Sequence, residues 1–202
     1  MKILIAIPTY ESILPDTYKS IWDMDKCGNE CLFEFVRGYD VATARNNIAL
    51  KAIELGVDYV LMVDNDVVLP KDTLVHFAED IKPVQLGVYS HRPKEETEDF
   101  LSIIFGNDRN DWKHQYTIDE INSLHEPKVL VRGGGLGCAL IKTDVFNEIR
   151  YPYFVWVAFF SDPKKHLSED LYFCEQCIGK HIPIYIDTRV KCGHVIRFVK
   201  NI

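Results

Sequence analysis

Tyr59-Val60-Leu61-Met62-Val63-Asp64-Asn65-Asp66 is an apolar, strand-forming run that ends abruptly in two carboxylates one residue apart. Residues i and i+2 of an extended segment point to the same side, so Asp64 and Asp66 can converge at the mouth of a buried strand. Two hard oxygen donors in that position suit a divalent cation bridging a diphosphate. A buried strand followed by an acidic turn has the same pattern, so the motif has to be weighed with the rest of the chain.

Working outward, residues 2–7 form a second continuous apolar run and are expected to be the first strand. Residues 40–55 carry helical spacing through Val41, Ala44, Ile48, Ala49 and Ala52, and Gly56 stands where a C-cap belongs. Pro70 and Asp72 open another helix, and 85–90 read as a third strand. Buried strands alternating with helices indicate an α/β fold with a mainly parallel central sheet. Ligands of such sheets bind beyond the carboxyl ends of the strands. Pro8-Thr9-Tyr10, Asp64-Asn65-Asp66 and Ser90-His91-Arg92 all fall there. Residues 92–127 are charged and interrupted, and read as an insertion near the site with a hairpin and a short helix around 118–124. A strand at 128–132 then leads into Gly133-Gly134-Gly135-Leu136-Gly137, followed by a strand at 138–141 and a helix from Thr143-Asp144. An aromatic band at 151–160 precedes a helix at 167–179 and a strand at 182–186, and the chain closes on 191–199. With no repeat or linker, residues 1–202 read as a single domain.

Composition narrows the function classes. The chain has 202 residues, 47% hydrophobic and 26% charged, which is ordinary for one globular domain. A formal charge of -7 argues against broad electrostatic binding to nucleic acid. The apolar start is too short for a secretion signal, and no run reaches the roughly 18 residues of a membrane helix, so a cytoplasmic protein with reduced thiols is expected. Cys174 and Cys177, with Cys27 and Cys31, could supply four zinc ligands; nothing else ties the two pairs together, and buried structural thiols are the better reading.

Taken in order, Pro8-Thr9-Tyr10, Ala44-Arg45-Asn46, Asp64-Asn65-Asp66, the glycine run, Ser168-Glu169-Asp170-Leu171 and Cys192-Gly193-His194 resemble the GT-A class of nucleotide-sugar-dependent glycosyltransferases, particularly its family-2-like members. The resemblance covers most of the chain and is weakest over 92–127. It implies a Rossmann-like α/β/α sandwich in which Pro8, Thr9 and Tyr10 line the base and ribose pocket. Arg45 would contact the nucleotide or hold the loop around it, unless it is a surface helix arginine. Asp64 and Asn65 belong to the donor site, with Asp64 on the ribose or a metal-bound water. Asp66 would bind Mn²⁺ or Mg²⁺ directly, and His194 would complete the metal shell; its alternative is a structural histidine. Asp170, in the pair Glu169-Asp170, matches the base of inverting relatives, and a helix N-terminus would keep it ionised. Capping of the helix by Ser168 and these acids is the alternative. Gly134 and Gly135 would pass beneath the donor sugar, where a side chain would obstruct it; a plain tight turn is the alternative.

The resemblance therefore implies a metal-dependent transfer of a sugar from a nucleoside-diphosphate sugar, UDP being the commonest choice, to a hydroxyl acceptor with inversion. A retaining transferase shares the fold. A nucleotidyltransferase usually carries a glycine-rich basic loop after the first strand, which Pro8-Thr9-Tyr10-Glu11-Ser12 lacks. A non-catalytic nucleotide-sugar-binding module is disfavoured by the intact Asp64, Asp66, Asp170 and His194. The aromatic residues Tyr151, Tyr153, Phe154, Trp156, Phe159 and Phe160 suit a sugar acceptor as well as a core. Lys180, His181, Arg189, Lys191, Arg197 and Lys200 make the C-terminal part locally basic, so a phosphorylated or nucleic-acid acceptor stays open. The chain is short for this fold, so a small or extended acceptor, a partner, or a homo-oligomer completing the acceptor site are all consistent with it.

Overall fold

The computed structural model describes residues 1–9, 12–90, 101–106, 114–158 and 166–195. The first half runs β1 (Lys2–Thr9), α1 (Pro15–Asp23), β2 (Glu30–Arg37), α2 (Val41–Leu55), β3 (Tyr59–Val63), β4 (Val67–Val68), α3 (Thr73–Ala78) and β5 (Val84–Val88). Then come β6 (Leu101–Phe105), β7 (Gln115–Thr117), α4 (Ile118–Asn122), β8 (Lys128–Val131), β9 (Gly133–Gly134), β10 (Cys138–Lys142) and α5 (Val145–Glu148). Last are β11 (Val157–Ala158), β12 (His166–Leu167), α6 (Glu169–Gly179), β13 (Ile184–Lys191) and β14 (Gly193–His194).

The central sheet has the order β2-β1-β3-β10-β5-β13-β8. β2, β1 and β3 are mutually parallel, as are β5 and β13, and these five share one direction. β10 lies antiparallel between β3 and β5, and β8 closes the far edge antiparallel to β13. Ile3, Leu4, Ile5, Ala6 and Ile7 of β1 and Val60, Leu61, Met62 and Val63 of β3 are at most 1% exposed. Such runs stabilise a sheet covered on both faces, each aliphatic side chain contributing about 1.5–3 kcal/mol by burial.

Helix α2 places the most important side chains. It starts where the Asp40 side chain accepts from the Thr43 N–H at 2.7 Å, and stops at Gly56, whose φ of 57° is a left-handed cap. Buried Ala44, Ala49 and Ala52 let it lie close on β1, β2 and β3. No described helix is long and apolar enough to cross a membrane.

The structure adds two elements that hydrophobic periodicity did not bring out, α1 and β2. β2 is an edge strand whose Phe33 and Phe35 are exposed, so its apolar residues do not mark a buried run. The signal it did carry is the alternation of residues 31–36, bounded by Gly28-Asn29 and Gly38. The strand expected at 182–186 instead runs Ile184–Lys191 with an irregularity after Ile186. The insertion forms the antiparallel pair β6–β7 and the short α4, capped reciprocally by Thr117 and Glu120. β6 also pairs with β9, which stitches the insertion to the glycine run.

Asn46 joins α2 to the segment before β11. Its amide donates to the carbonyls of Ala42 (2.9 Å) and Phe154 (2.7 Å) and accepts from the N–H of Tyr153 (2.8 Å) and Phe154 (3.3 Å). Asn46→Ala strands these buried backbone groups, and each costs about 1–3 kcal/mol when left unpaired. The expected loss is about 2–4 kcal/mol, measured by urea unfolding, with the denaturant dependence unchanged.

Candidate active site

The topology brings the chemistry to one edge of the sheet. β1 ends at Thr9, β3 ends just before Asp64, and β5 ends just before Tyr89-Ser90. Because β10 runs the other way, its start at Gly137-Cys138 reaches the same edge. Beyond β13, β14 pairs with β4 so that His194 stands opposite Val67, next to Asp66. A cleft of about 310 Å³ opens here. It is lined by Pro8 and Thr9, by residues 38–41 and Ala44, and by Asp64, Asn65 and Asp66. Tyr10 lies outside the described residues. Residues 38–41 were not anticipated as lining; Gly38 is required there because a Cβ would stand 2.5 Å from the backbone nitrogen of Ala44. Tyr39 is 95% exposed at the rim.

Arg45 is enclosed, at 2% exposure, and not on the helix surface. Its Nη1 donates to Glu169 Oε1 at 2.6 Å and its Nη2 to Asp64 Oδ1 at 2.9 Å. The guanidinium thereby joins α2, the end of β3 and the start of α6. One buried cation faces two bonded carboxylates, with Asp170 close by, so the group carries surplus negative charge. Burial pushes Glu169 up to about 7, Arg45 pulling against this and Asp170 adding to it. Arg45 itself is held charged by Asp64 and Glu169 against the cost of its own burial.

Asp66 and His194 come together. The His194 Nε2 is 3.5 Å from Asp66 Oδ2, with both side chains largely buried. His194 Nδ1 lies 2.8 Å from the Ser90 carbonyl oxygen, which can only accept, so Nδ1 carries the proton. That contact leaves Nε2 as the ring nitrogen facing Asp66, the one that would be free to bind a metal. A neutral nitrogen beside a hard carboxylate oxygen is a donor set that fits Mn²⁺ or Mg²⁺. Asp64 is directed elsewhere, to Arg45, and among the described residues no cluster of three or more His, Cys, Asp or Glu is assembled for a metal. Asn65 also acts on the protein: its amide donates to the Ser12 carbonyl at 2.9 Å and its own carbonyl accepts from the Leu14 N–H at 3.0 Å, fixing the chain after β1.

Asp170 stands at the first turn of α6. Its Oδ1 accepts from the Ser168 hydroxyl and from the Leu171 N–H, so Ser168 serves Asp170 and makes no side-chain cap. Asp170 Oδ2 is 3.5 Å from where a Cβ on Gly135 would stand. The glycines are packed from below: a Cβ on Gly134 would meet Ile104 at 2.7 Å, and one on Gly135 or Gly137 would meet the Tyr89 hydroxyl at 2.7 or 2.5 Å. Tyr89, which sequence reasoning missed, accepts from the Gly137 N–H at 2.8 Å and meets the His194 ring edge-on at 5.6 Å. Its signal was its place, one residue beyond β5.

The aromatic band divides. Tyr153 and Phe154 are buried, Phe154 stacking on Phe173 at 5.1 Å, whereas Tyr151 and Trp156 are 56% and 51% exposed. Phe159 and Phe160 lie outside the described residues. Of the basic residues near the C-terminus, Arg189 is bound to Asp187 and Glu79 and Lys191 to Asn122, while 197 and 200 lie outside the described residues. Cys174 and Cys177 are buried in α6, whereas Cys27 is exposed.

No protein-family model and no curated protein sequence matches the chain. Solved structures do. The chain is similar to A197 from STIV at 21% identity and a TM-score of 0.63, covering 98% of this chain and 87% of that one. It is similar to GalNAc-T7, solved with UDP, GalNAc and Mn²⁺, at 10% identity and a TM-score of 0.64, covering 98% of this chain but 43% of that one. A UDP-glucose pyrophosphorylase complexed with UDP-glucose matches at 9% identity and a TM-score of 0.52, covering 95% of this chain and 92% of that one. The fold is that of the GT-A nucleotide-sugar proteins, a Rossmann-like α/β architecture.

The raised Glu169 has a signed consequence. Between its ordinary value near 4.5 and about 7 the folded protein holds a proton that the unfolded chain has lost. Stability therefore falls as pH rises through that window, by up to about 3 kcal/mol. Glu169→Gln, which keeps an acceptor for Arg45, is expected to flatten this decline when urea unfolding is followed from pH 4.5 to 7.5.

Proposed function

We propose that this chain is a divalent-metal-dependent glycosyltransferase that moves a sugar from a nucleoside-diphosphate donor, UDP-linked, to a hydroxyl acceptor with inversion at the anomeric carbon. The observation that carries the reading is the bridge formed by Arg45. It ties Asp64, on the wall of the cleft, to Glu169, the neighbour of Asp170, so a donor-side and an acceptor-side carboxylate share one rigid frame. Tyr39 at the rim and Thr9 in the wall suit a base and a ribose, and the three acids that line the cleft, Asp40, Asp64 and Asp66, call for a cation before a diphosphate can enter.

Asp66 and His194 would hold the metal. A cation there supplies neutralisation of the charge that builds on the departing diphosphate. The chain's own residues do the rest. Asp170, steadied by Ser168 and the Leu171 N–H, takes the proton from the acceptor hydroxyl. The acceptor oxygen then bonds to the anomeric carbon as the bond from that carbon to the diphosphate oxygen breaks, its electron pair leaving on the diphosphate. Asp64 stays fixed by Arg45 at the cleft wall, where it suits a ribose hydroxyl.

The pyrophosphorylase likeness favours a second reading, nucleotidyl transfer, in which pyrophosphate exchanges with the donor. The test is product analysis on a UDP-sugar panel with Mn²⁺. Release of UDP with an inverted product anomer is expected, and Asp170→Asn should lower kcat by about 10²–10⁴ with the donor KM little changed. Release of pyrophosphate, or a retained anomer that survives Asp170→Asn, contradicts the proposal.

A further inference from the structure

Between the buried aromatic residues Tyr153 and Phe154 and the proposed base, a two-stranded pair follows a half-exposed tryptophan, Trp156. β11 and β12 pair antiparallel with Val157 opposite Leu167 and Ala158 opposite His166. Trp156 directly precedes β11 and Ser168, whose hydroxyl donates to Asp170, directly follows β12, so extending the register by one residue would set them opposite each other. Opposed residues of an antiparallel pair share a face, and so do diagonal neighbours. On that extended register Trp156, His166 and Ser168 would share one face of the strand pair. The Trp156 ring is 51% exposed, and the exposed His166 ring lies 6.4 Å away, tilted by 37°.

We propose that Trp156 and His166 form the platform on which a neutral saccharide acceptor stacks, presenting a ring hydroxyl to Asp170. This rests on the glycosyltransferase reading and names the class of its acceptor. An indole face matches the apolar C–H face of a sugar ring, and Trp156 offers that face to solvent where Tyr153 and Phe154 are consumed by the core. The adjacent imidazole adds a hydrogen-bonding group for a sugar hydroxyl. The pairing of the described cations favours a neutral acceptor over a polyanion. Among the described residues, Arg45 is buried between Asp64 and Glu169, and Arg189 and Lys191 are bound to Glu79, Asp187 and Asn122.

The test uses tryptophan fluorescence of the full chain titrated with neutral glucose-, galactose-, mannose- and N-acetylglucosamine-type oligosaccharides, and with a single-stranded oligonucleotide as the polyanion. A saturable change with at least one oligosaccharide is expected in the wild type, absent in Trp156→Ala. In transfer assays with that sugar, Trp156→Ala should raise the acceptor KM at least tenfold with the donor KM within twofold, and Trp156→Phe should recover most of the loss. No saturable response to any sugar, or saturation by the oligonucleotide alone, overturns the platform. So does an equal rise in both KM values, which would mark Trp156 as a support of the hairpin. UDP binding on the same preparations separates the two claims: UDP bound with Mn²⁺ but no sugar response removes the platform and leaves the transferase reading. A sugar response lost in Trp156→Ala without any UDP binding keeps the platform and removes the transferase.

Discussion

A single buried guanidinium organises this protein. Arg45 enters the interior from α2, and its two terminal nitrogens are taken by Asp64 at the end of β3 and Glu169 at the start of α6. Removing one partner from a buried charged pair costs about 3–5 kcal/mol, because the other charge is left without compensation. The three elements are thereby fixed in position at the one edge of the sheet where ligands of such folds bind. The same arrangement sets three acidic side chains, Asp64, Glu169 and Asp170, around one buried cation. Burial raises Glu169 to about 7, with Arg45 pulling against the shift and Asp170 adding to it.

From this frame the site divides into two halves. On one side, the cleft collects the β1 end, residues 38–41 and the acids after β3, and Asp66 faces a histidine whose tautomer is set by the Ser90 carbonyl. On the other, Asp170 takes its orientation from Ser168 and faces the glycine run. Tyr89 sits between, its hydroxyl filling the space that side chains at 135 and 137 would otherwise occupy and its ring edge against His194. The glycines thus serve the packing of Tyr89 and Ile104 as well as the approach to the donor side. The GalNAc-T7 and pyrophosphorylase likenesses, at 10% and 9% identity, speak to the architecture, and the chemistry has to be argued from these side chains.

Much of the frame was legible in the residues. The buried runs of β1 and β3 announce themselves because both faces of those strands are covered, and α2 carries its cap signals in Asp40 and Gly56. The edge strand β2 was not legible by the same rule, since half of its aromatic surface faces solvent. Periodicity also cannot give direction, so nothing in residues 138–142 announced that β10 runs against its neighbours. For the site, the acids of the two motifs could be picked out, but not how they are used. A sequence shows an arginine on a helix and cannot show that its charge is spent inside. It likewise gives Ser168 as good capping chemistry, and only the geometry shows its hydroxyl turned to Asp170.

The most direct test of the donor site is calorimetric titration of UDP into the wild type, Asp66→Ala and Asp170→Asn, each with and without Mn²⁺. The expected result is UDP binding that requires Mn²⁺ in the wild type, is lost in Asp66→Ala and is kept in Asp170→Asn, because the first residue serves the donor and the second the acceptor. Binding that ignores both Mn²⁺ and Asp66, or no UDP binding under any condition, would contradict the assignment of this cleft to a metal-bridged nucleoside diphosphate.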